Sequence, residues 1–500
     1  MRDKNIGTVF YVSFTIVIAL VLTGIFIPEV LQQWSSAALT WVQKGFSWFY
    51  MLIMTFFVVM ALFLGFGPYR KMRLGKSDEE PEYSFYTWIG LIFAAGMGVG
   101  LVFYGTAEPI LHYTNPPPGT EAETVEAART SLKYSAFHWG LQPWAVYATV
   151  GLAIAFIKFR EGYPVLLSQA FRPLIGDRVE GFAGKTINIV AVITTAIGVA
   201  TTFGLSALQV TGGISEVFPV PNSTATQMTI IAVISVLFMI SALSGVNKGI
   251  RYLSMVNLAI AGLLLLAVII LGPTAFLFEN FTTAIGSYLG NYIELSLTLA
   301  PYSDEGWFGE WTIFFWAWGI SWAPYVGTFI ARVSRGRTIQ EFIIGVLAVP
   351  SLLGILWFTV FGGTAIDQQI SGVADIAGPS QENQELALFL MLQNLPGGLI
   401  LSIIALLLII IFFITSADSA SYVLSTLTSK GAIKPGKAIR LTWGILIAAT
   451  AAALLLSGGL QALRSIAIIT ALPFSIIISV MAFSLIKGLK NDKNRKEWKK

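Results

Sequence analysis

The chain has 500 residues, 55% of them hydrophobic and only 12% charged, and its mean hydropathy is +0.74. That composition excludes an ordinary soluble domain, and the absence of cysteine excludes disulfides and thiolate metal sites. The net charge is only +4 and the basic residues are scattered over short loops, so nucleic-acid binding is not expected.

Apolar runs of about 20 residues, long enough to cross a bilayer core, recur along the whole sequence. They lie at 8–28, 48–66, 86–106, 137–158, 188–211, 226–244, 252–274, 311–331, 341–364, 397–417, 438–456 and 466–486. Lipid offers the backbone no hydrogen-bond partners, so these runs are read as helices. The first is long enough to span and has no small-residue cleavage pattern, so it counts as a span. With the N-terminus inside, the outer loops hold only Lys44, Arg129, Lys133 and Arg464, and every other Lys and Arg lies inside. This positive-inside pattern predicts twelve spans with both termini cytoplasmic.

Two outer loops are long. The first carries "NPPPGTEAETVEAART", a proline turn expected to precede a short amphipathic helix. The second, at 275–310, alternates apolar and polar residues at helical spacing and is expected to lie along the membrane surface. No sequence repeat is evident. Five spans before this segment and five after it would have opposite orientations, as in the inverted repeats of many secondary transporters.

In the third span, "FAAGMGVGLVFYGTAEP" places Gly96, Gly98 and Gly100 at i, i+2 and i+4. Each glycine weakens a helix by about 1 kcal/mol relative to alanine. The pattern predicts a local break whose carbonyls could meet a cation and whose amides could meet a carboxylate, although close helix packing would also explain it. The fourth span opens with "FHWGLQPWAVY", carrying Trp139, Trp144 and Tyr147. The last two lie at least a turn inside, beyond an interfacial aromatic belt. The fifth carries "TTAIGVATTFG", with Thr194, Thr195, Thr201 and Thr202.

The eighth span reads "WTIFFWAWGISWAPYVGTF". Trp318 and Trp322 are four apart and share a face; Trp316 sits two residues earlier, on another. Several aromatic faces converging in mid-membrane would bind a quaternary ammonium by cation–π attraction, about 0.5–2 kcal/mol per ring. In the tenth span, "FFITSADSAS" sets Thr415, Ser416 and Asp418 among hydroxyls. An intramembrane acid is a functional candidate, and hydroxyl and carbonyl oxygens suit an alkali or alkaline-earth cation. The basic tail from Lys487 to Lys500 is expected to meet anionic lipid heads or to act as a solvated topology signal. No HExxH motif, Walker loop or triad points to an enzyme, and no filter or charged ring points to a channel.

Taken together, "AAGMGVGLVFYGTAEP", "FHWGLQPWAVYA", "WAWGISWAPYVGTFIARVSRGRT" and "FFITSADSAS" closely resemble the betaine/choline/carnitine transporter family, in order and over nearly the whole chain. The resemblance implies an all-α polytopic membrane protein of twelve helices, two of them preceding a five-plus-five inverted repeat of the leucine-transporter type. The corresponding segments are 1–85, 86–274, a linker at 275–310, 311–486 and a tail at 487–500. It further implies a multi-pass protein of the bacterial cell membrane, usually a homotrimer, with no cofactor and with sodium as coupling ion. A sodium site would use the carbonyls of Ala94, Met97 and Phe412 and the hydroxyls of Thr415 and Ser416. A second site on the fifth span would use Thr195 and Thr202, with Val199 where a hydroxyl residue can occur. The substrate box would comprise Gly96, Met97, Gly98, Trp139, Trp144, Tyr147, Trp316, Trp318 and Trp322. Gly319 stands where the family commonly has a fourth tryptophan. The expected function is sodium-coupled import of a zwitterionic osmolyte such as glycine betaine. The alternatives are import of ectoine, proton-coupled choline or carnitine transport, and an osmolyte sensor that does not transport.

Overall fold

The protein is described by a computed structural model covering residues 6–96, 98–244, 247–302, 306–432 and 434–492. Among these residues it is all-helical, apart from an isolated antiparallel bridge between Arg73 and Thr338. Nine helical stretches among the described residues, Val125–Arg160 taken as one of them, are long and apolar enough to cross a membrane.

The chain begins with α1 (Thr8–Phe26) and α2 (Pro28–Phe66), whose outer faces carry exposed apolar side chains such as Phe26 and Trp34. There follow α3 (Phe85–Gly96), α4 (Val99–Thr114), α5 (Val125–Trp139) and α6 (Leu141–Ala155). Next come α7 (Phe182–Val217), α8 (Thr224–Ser244), α9 (Asn247–Leu271) and α10 (Thr274–Gly290). The last four are α11 (Phe314–Val333), α12 (Ile339–Ile370), α13 (Gly398–Thr428) and α14 (Lys437–Asn491).

The helix ends follow local chemistry. Thr124 caps α5 by accepting a hydrogen bond from the Ala127 amide at 3.1 Å. Thr338 and Glu341 form a reciprocal capping box at the start of α12. The third predicted span is broken, because α3 stops at Gly96 and α4 starts at Val99, with Gly98 extended between them. The fourth is broken as well. The sequence suggested one helix over 137–158, but Gly140 leaves helical geometry and separates α5 from α6. The amphipathic helix expected in the first outer loop is therefore the start of α5, which runs inward to Trp139. In α14, Gly458 and Gly459 are non-helical, Gly459 at φ +60° in the region that favours glycine. The runs at 438–456 and 466–486 lie on either side of this kink. The 275–310 segment begins within α10.

On the side of the basic loops, the segment after α2 is clasped to the segment after α11. The Leu74 amide donates to the Arg337 carbonyl and the Ile339 amide to the Met72 carbonyl, both at 2.8 Å. The core is the pairing of α6 with α11 and of α7 with α13 and α14, and the broken α3–α4 segment lies against it.

Candidate solute and ion site

A cavity opens beside the break. It is lined by Gly96, Gly98 and Gly100, by Trp139, Trp144 and Tyr147, and by Trp318, Gly319 and Trp322, with His138, Pro143, Thr202, Phe315 and Leu101 completing the wall. The space open to the centre of a water-sized sphere is about 50 Å³. One water needs only about 10–15 Å³ on that measure, so a solute of several heavy atoms fits.

The rings meet edge to face. Trp144 and Tyr147 are 5.5 Å apart at 90°, Trp139 and Trp318 are 6.0 Å apart at 87°, and Trp318 and Trp322 are 6.4 Å apart at 79°. Their polar edges are tied back into the protein. The Trp318 indole donates to Thr202 Oγ1 at 3.2 Å and the Trp322 indole to the Gly198 carbonyl at 3.1 Å. The Trp139 indole donates to Glu108 Oε2 at 2.9 Å. Anchoring the N–H groups fixes the rings and leaves π-faces for a cationic guest.

The glycines make this packing possible. A Cβ on Gly96 would collide with the Trp144 indole, and one on Gly100 with the Trp318 indole. Gly98 is open, its Cβ position lying 3.9 Å from Ser416 Oγ. Gly319 is also open. A Cβ there would meet only Pro143 Cβ at 3.6 Å and Tyr147 Oη at 3.8 Å, ordinary contacts. Gly319 is therefore a wall of the cavity and not a helix-packing glycine.

Trp316 is placed elsewhere. It is 1% exposed, its indole faces Met51 Sδ at 3.2 Å, and its ring packs edge-on against Phe137. Two residues turn an α-helix by about 200°, so Trp316 and Trp318 cannot share one cavity wall. Asp418 is also not a free intramembrane acid, because it pairs with Arg440 of α14 at 2.8 Å.

Of the residues expected to hold ions, Met97 lies outside the described residues. Ala94 is in the last turn of α3, where carbonyls lose their helical partners and the helix dipole is negative. The Thr415 hydroxyl donates to the carbonyls of Ile411 at 2.8 Å and Phe412 at 3.2 Å, which leaves oxygen lone pairs available. Ser416 is half-buried and faces the break from α13. Thr195 Oγ1 is buried without a hydrogen-bond partner among the described residues. Thr202 is otherwise committed, accepting from Trp318 and donating to the Gly198 carbonyl at 3.2 Å.

Sequence reasoning passed over Glu108, Pro143 and Phe315. Glu108 carried a usable signal, being an acid two residues past the third apolar run in a stretch that stays largely apolar to Tyr113. It is fully buried and also meets His138 Nδ1 at 2.6 Å.

Among the described residues, many membrane-length helices, a broken helix and an aromatic cavity define a polytopic membrane protein with a site for a small solute. The family model described as "BCCT, betaine/carnitine/choline family transporter" matches residues 8–494, and the chain belongs to that family. It is 48% identical to the glycine betaine transporter OpuD of Bacillus subtilis (strain 168), over 99% of this chain and 96% of that protein. It is 42% identical to an ectoine/hydroxyectoine transporter of Virgibacillus pantothenticus, over 98% and 97%. Glycine betaine transporter 1 of Vibrio parahaemolyticus is 43% identical, over 90% of this chain and 87% of that protein.

Proposed function

We propose that the protein is a secondary importer of a zwitterionic osmolyte with a quaternary ammonium, glycine betaine in the first instance, driven by sodium. The observation that carries this reading is the break before Val99, where Gly98 is extended beside the ring cavity. The C-terminus of α3 offers carbonyls to a cation, and the N-terminus of α4 offers amides to a carboxylate. The rings of Trp139, Trp144, Tyr147, Trp318 and Trp322 take the trimethylammonium group. The ion site comprises the carbonyls of Ala94, Met97 and Phe412 with the hydroxyls of Thr415 and Ser416. The unpartnered hydroxyl of Thr195 favours a second ion position on α7.

Ectoine is the second reading, favoured by the open space at Gly319 and by the ectoine-transporting relative. The proposal includes twelve spans, two helices followed by an inverted five-plus-five repeat, cytoplasmic termini and a homotrimer. The basic tail would meet anionic lipid; residues 493–500 lie outside the described part.

The test is uptake of labelled glycine betaine into proteoliposomes under an inward sodium gradient. Concentrative uptake that collapses when the gradient is removed is expected. Uptake that follows a proton gradient and ignores sodium would overturn the coupling. Binding without uptake would make the protein a sensor.

A further inference from the structure

Behind the aromatic cavity, on the far side of Trp139, lies a fully buried cluster that the transport reading does not use. Glu108 and His112 are four residues apart on one face of α4, and His138 approaches them from α5. Glu108 Oε1 is 2.6 Å from His138 Nδ1 and 3.3 Å from His112 Nε2. One ligand atom from each of the three residues fits within 4.8 Å of the others. His112 Nδ1 has no hydrogen-bond partner among the described residues, and its Nε2 has only the 3.3 Å approach of Glu108 Oε1. Leaving a buried imidazole so poorly satisfied is costly unless something else occupies the space.

We propose that Glu108, His112 and His138 form a binding site for a divalent transition cation of the zinc type. Two imidazoles and one carboxylate are a donor set that suits Zn²⁺, Co²⁺ or Ni²⁺ and is a poor match for Na⁺ or Mg²⁺. With metal–ligand bonds of about 2.0–2.1 Å, neighbouring ligands on a tetrahedron stand about 3.3 Å apart. The Glu108–His112 separation already has that value, and the Glu108–His138 edge needs to open by a fraction of an ångström.

The outer partners are also in place. Thr312 Oγ1 bonds His138 Nε2 at 2.9 Å and the Trp139 indole donates to the other Glu108 oxygen at 2.9 Å. Such contacts orient metal ligands. His138 also lines the cavity, which gives an ion a way in and a solvent ligand a place to sit. Arg464 also lies near the cluster, 5.0 Å above the Trp311 ring on which His112 packs. Its repulsion weakens binding without occupying a ligand position. A bound cation would clamp α4 to α5 and fix Trp139, and so slow transport.

The composition makes the test clean, because the two histidines of the chain are both in this cluster and there is no cysteine. Tag-free protein is titrated with Zn²⁺ by calorimetry. One ion per chain is expected. His112→Gln should weaken binding at least a hundredfold or so, and Thr312→Val by roughly ten- to a hundredfold. The second variant keeps all three ligands, so it decides the matter even if the first folds poorly. No saturable binding to the wild-type protein, or equal binding to wild type and both variants, would overturn the site. In proteoliposomes Zn²⁺ should slow glycine betaine uptake by wild type and not by His112→Gln. Binding without inhibition would overturn the clamp. This arm rests on the transport reading, whereas the calorimetry does not, so failure of one is distinguishable from failure of the other.

Discussion

At Gly96 and Gly100 the backbone lies directly under the indoles of Trp144 and Trp318, so that any Cβ would collide with a ring. At Gly319, across the same cavity, a Cβ would meet nothing closer than 3.6 Å. The first two glycines are absences that bring rings in, and the third is an absence that keeps a ring out. A wall of the first kind fixes the site's shape, and a wall of the second kind sets the size of the guest. One residue type thus carries two physical roles within a single pocket, and mutation should separate them.

The sharpest contrast is expected from Gly100→Ala. Overpacking of this kind costs about 1–3 kcal/mol, and if it falls on the bound state it lowers betaine affinity roughly ten- to a hundredfold. A fluorescence titration of the purified variant reads this, and wild-type affinity would show that the Trp318 ring yields easily. Gly319→Ala should leave affinity and thermal stability near wild type.

Removing a ring comes next. Trp144→Leu loses one cation–π contact, about 0.5–2 kcal/mol, and should raise the betaine concentration for half-maximal uptake by up to about thirtyfold. Thr202→Val deletes the acceptor that anchors Trp318. At about 1 kcal/mol for one hydrogen bond, it should weaken binding around fivefold without changing sodium dependence. If half-maximal sodium shifts instead, Thr202 is an ion ligand and not a brace.

The smallest effect is expected from Trp316→Phe. That ring faces Met51 and Phe137 away from the cavity, so betaine affinity should stay within about twofold, in keeping with substitutions that leave a site's contacts intact. A tenfold loss would return Trp316 to the binding box.

Much of this site was readable from the sequence. Closely spaced glycines in one span signalled the break at Gly98, and tryptophans too deep for an interfacial belt signalled the cavity. The parts that were not readable share a cause: they depend on which neighbour a side chain meets. Trp316 was grouped with Trp318 by the family resemblance, although helical geometry puts it on another face. Asp418 read as a functional candidate because its partner Arg440 is 22 residues away in sequence. The split at Gly140 follows from tertiary contact, since the freed Leu141 amide donates to the Tyr288 hydroxyl of α10 at 3.0 Å. Glu108 and the two histidines come from two helices and converge only on folding.

The central claim is that Gly319 leaves room in a cation-binding wall and thereby selects the guest. It is tested most directly by Gly319→Trp, with uptake of glycine betaine and ectoine measured side by side in the same proteoliposomes. An added indole closes the open side and supplies one more π-face, so the ratio of glycine betaine to ectoine uptake should rise by roughly tenfold, the worth of one ring. An unchanged ratio in a well-folded variant would contradict the account and place the determinant of the guest elsewhere in the cavity.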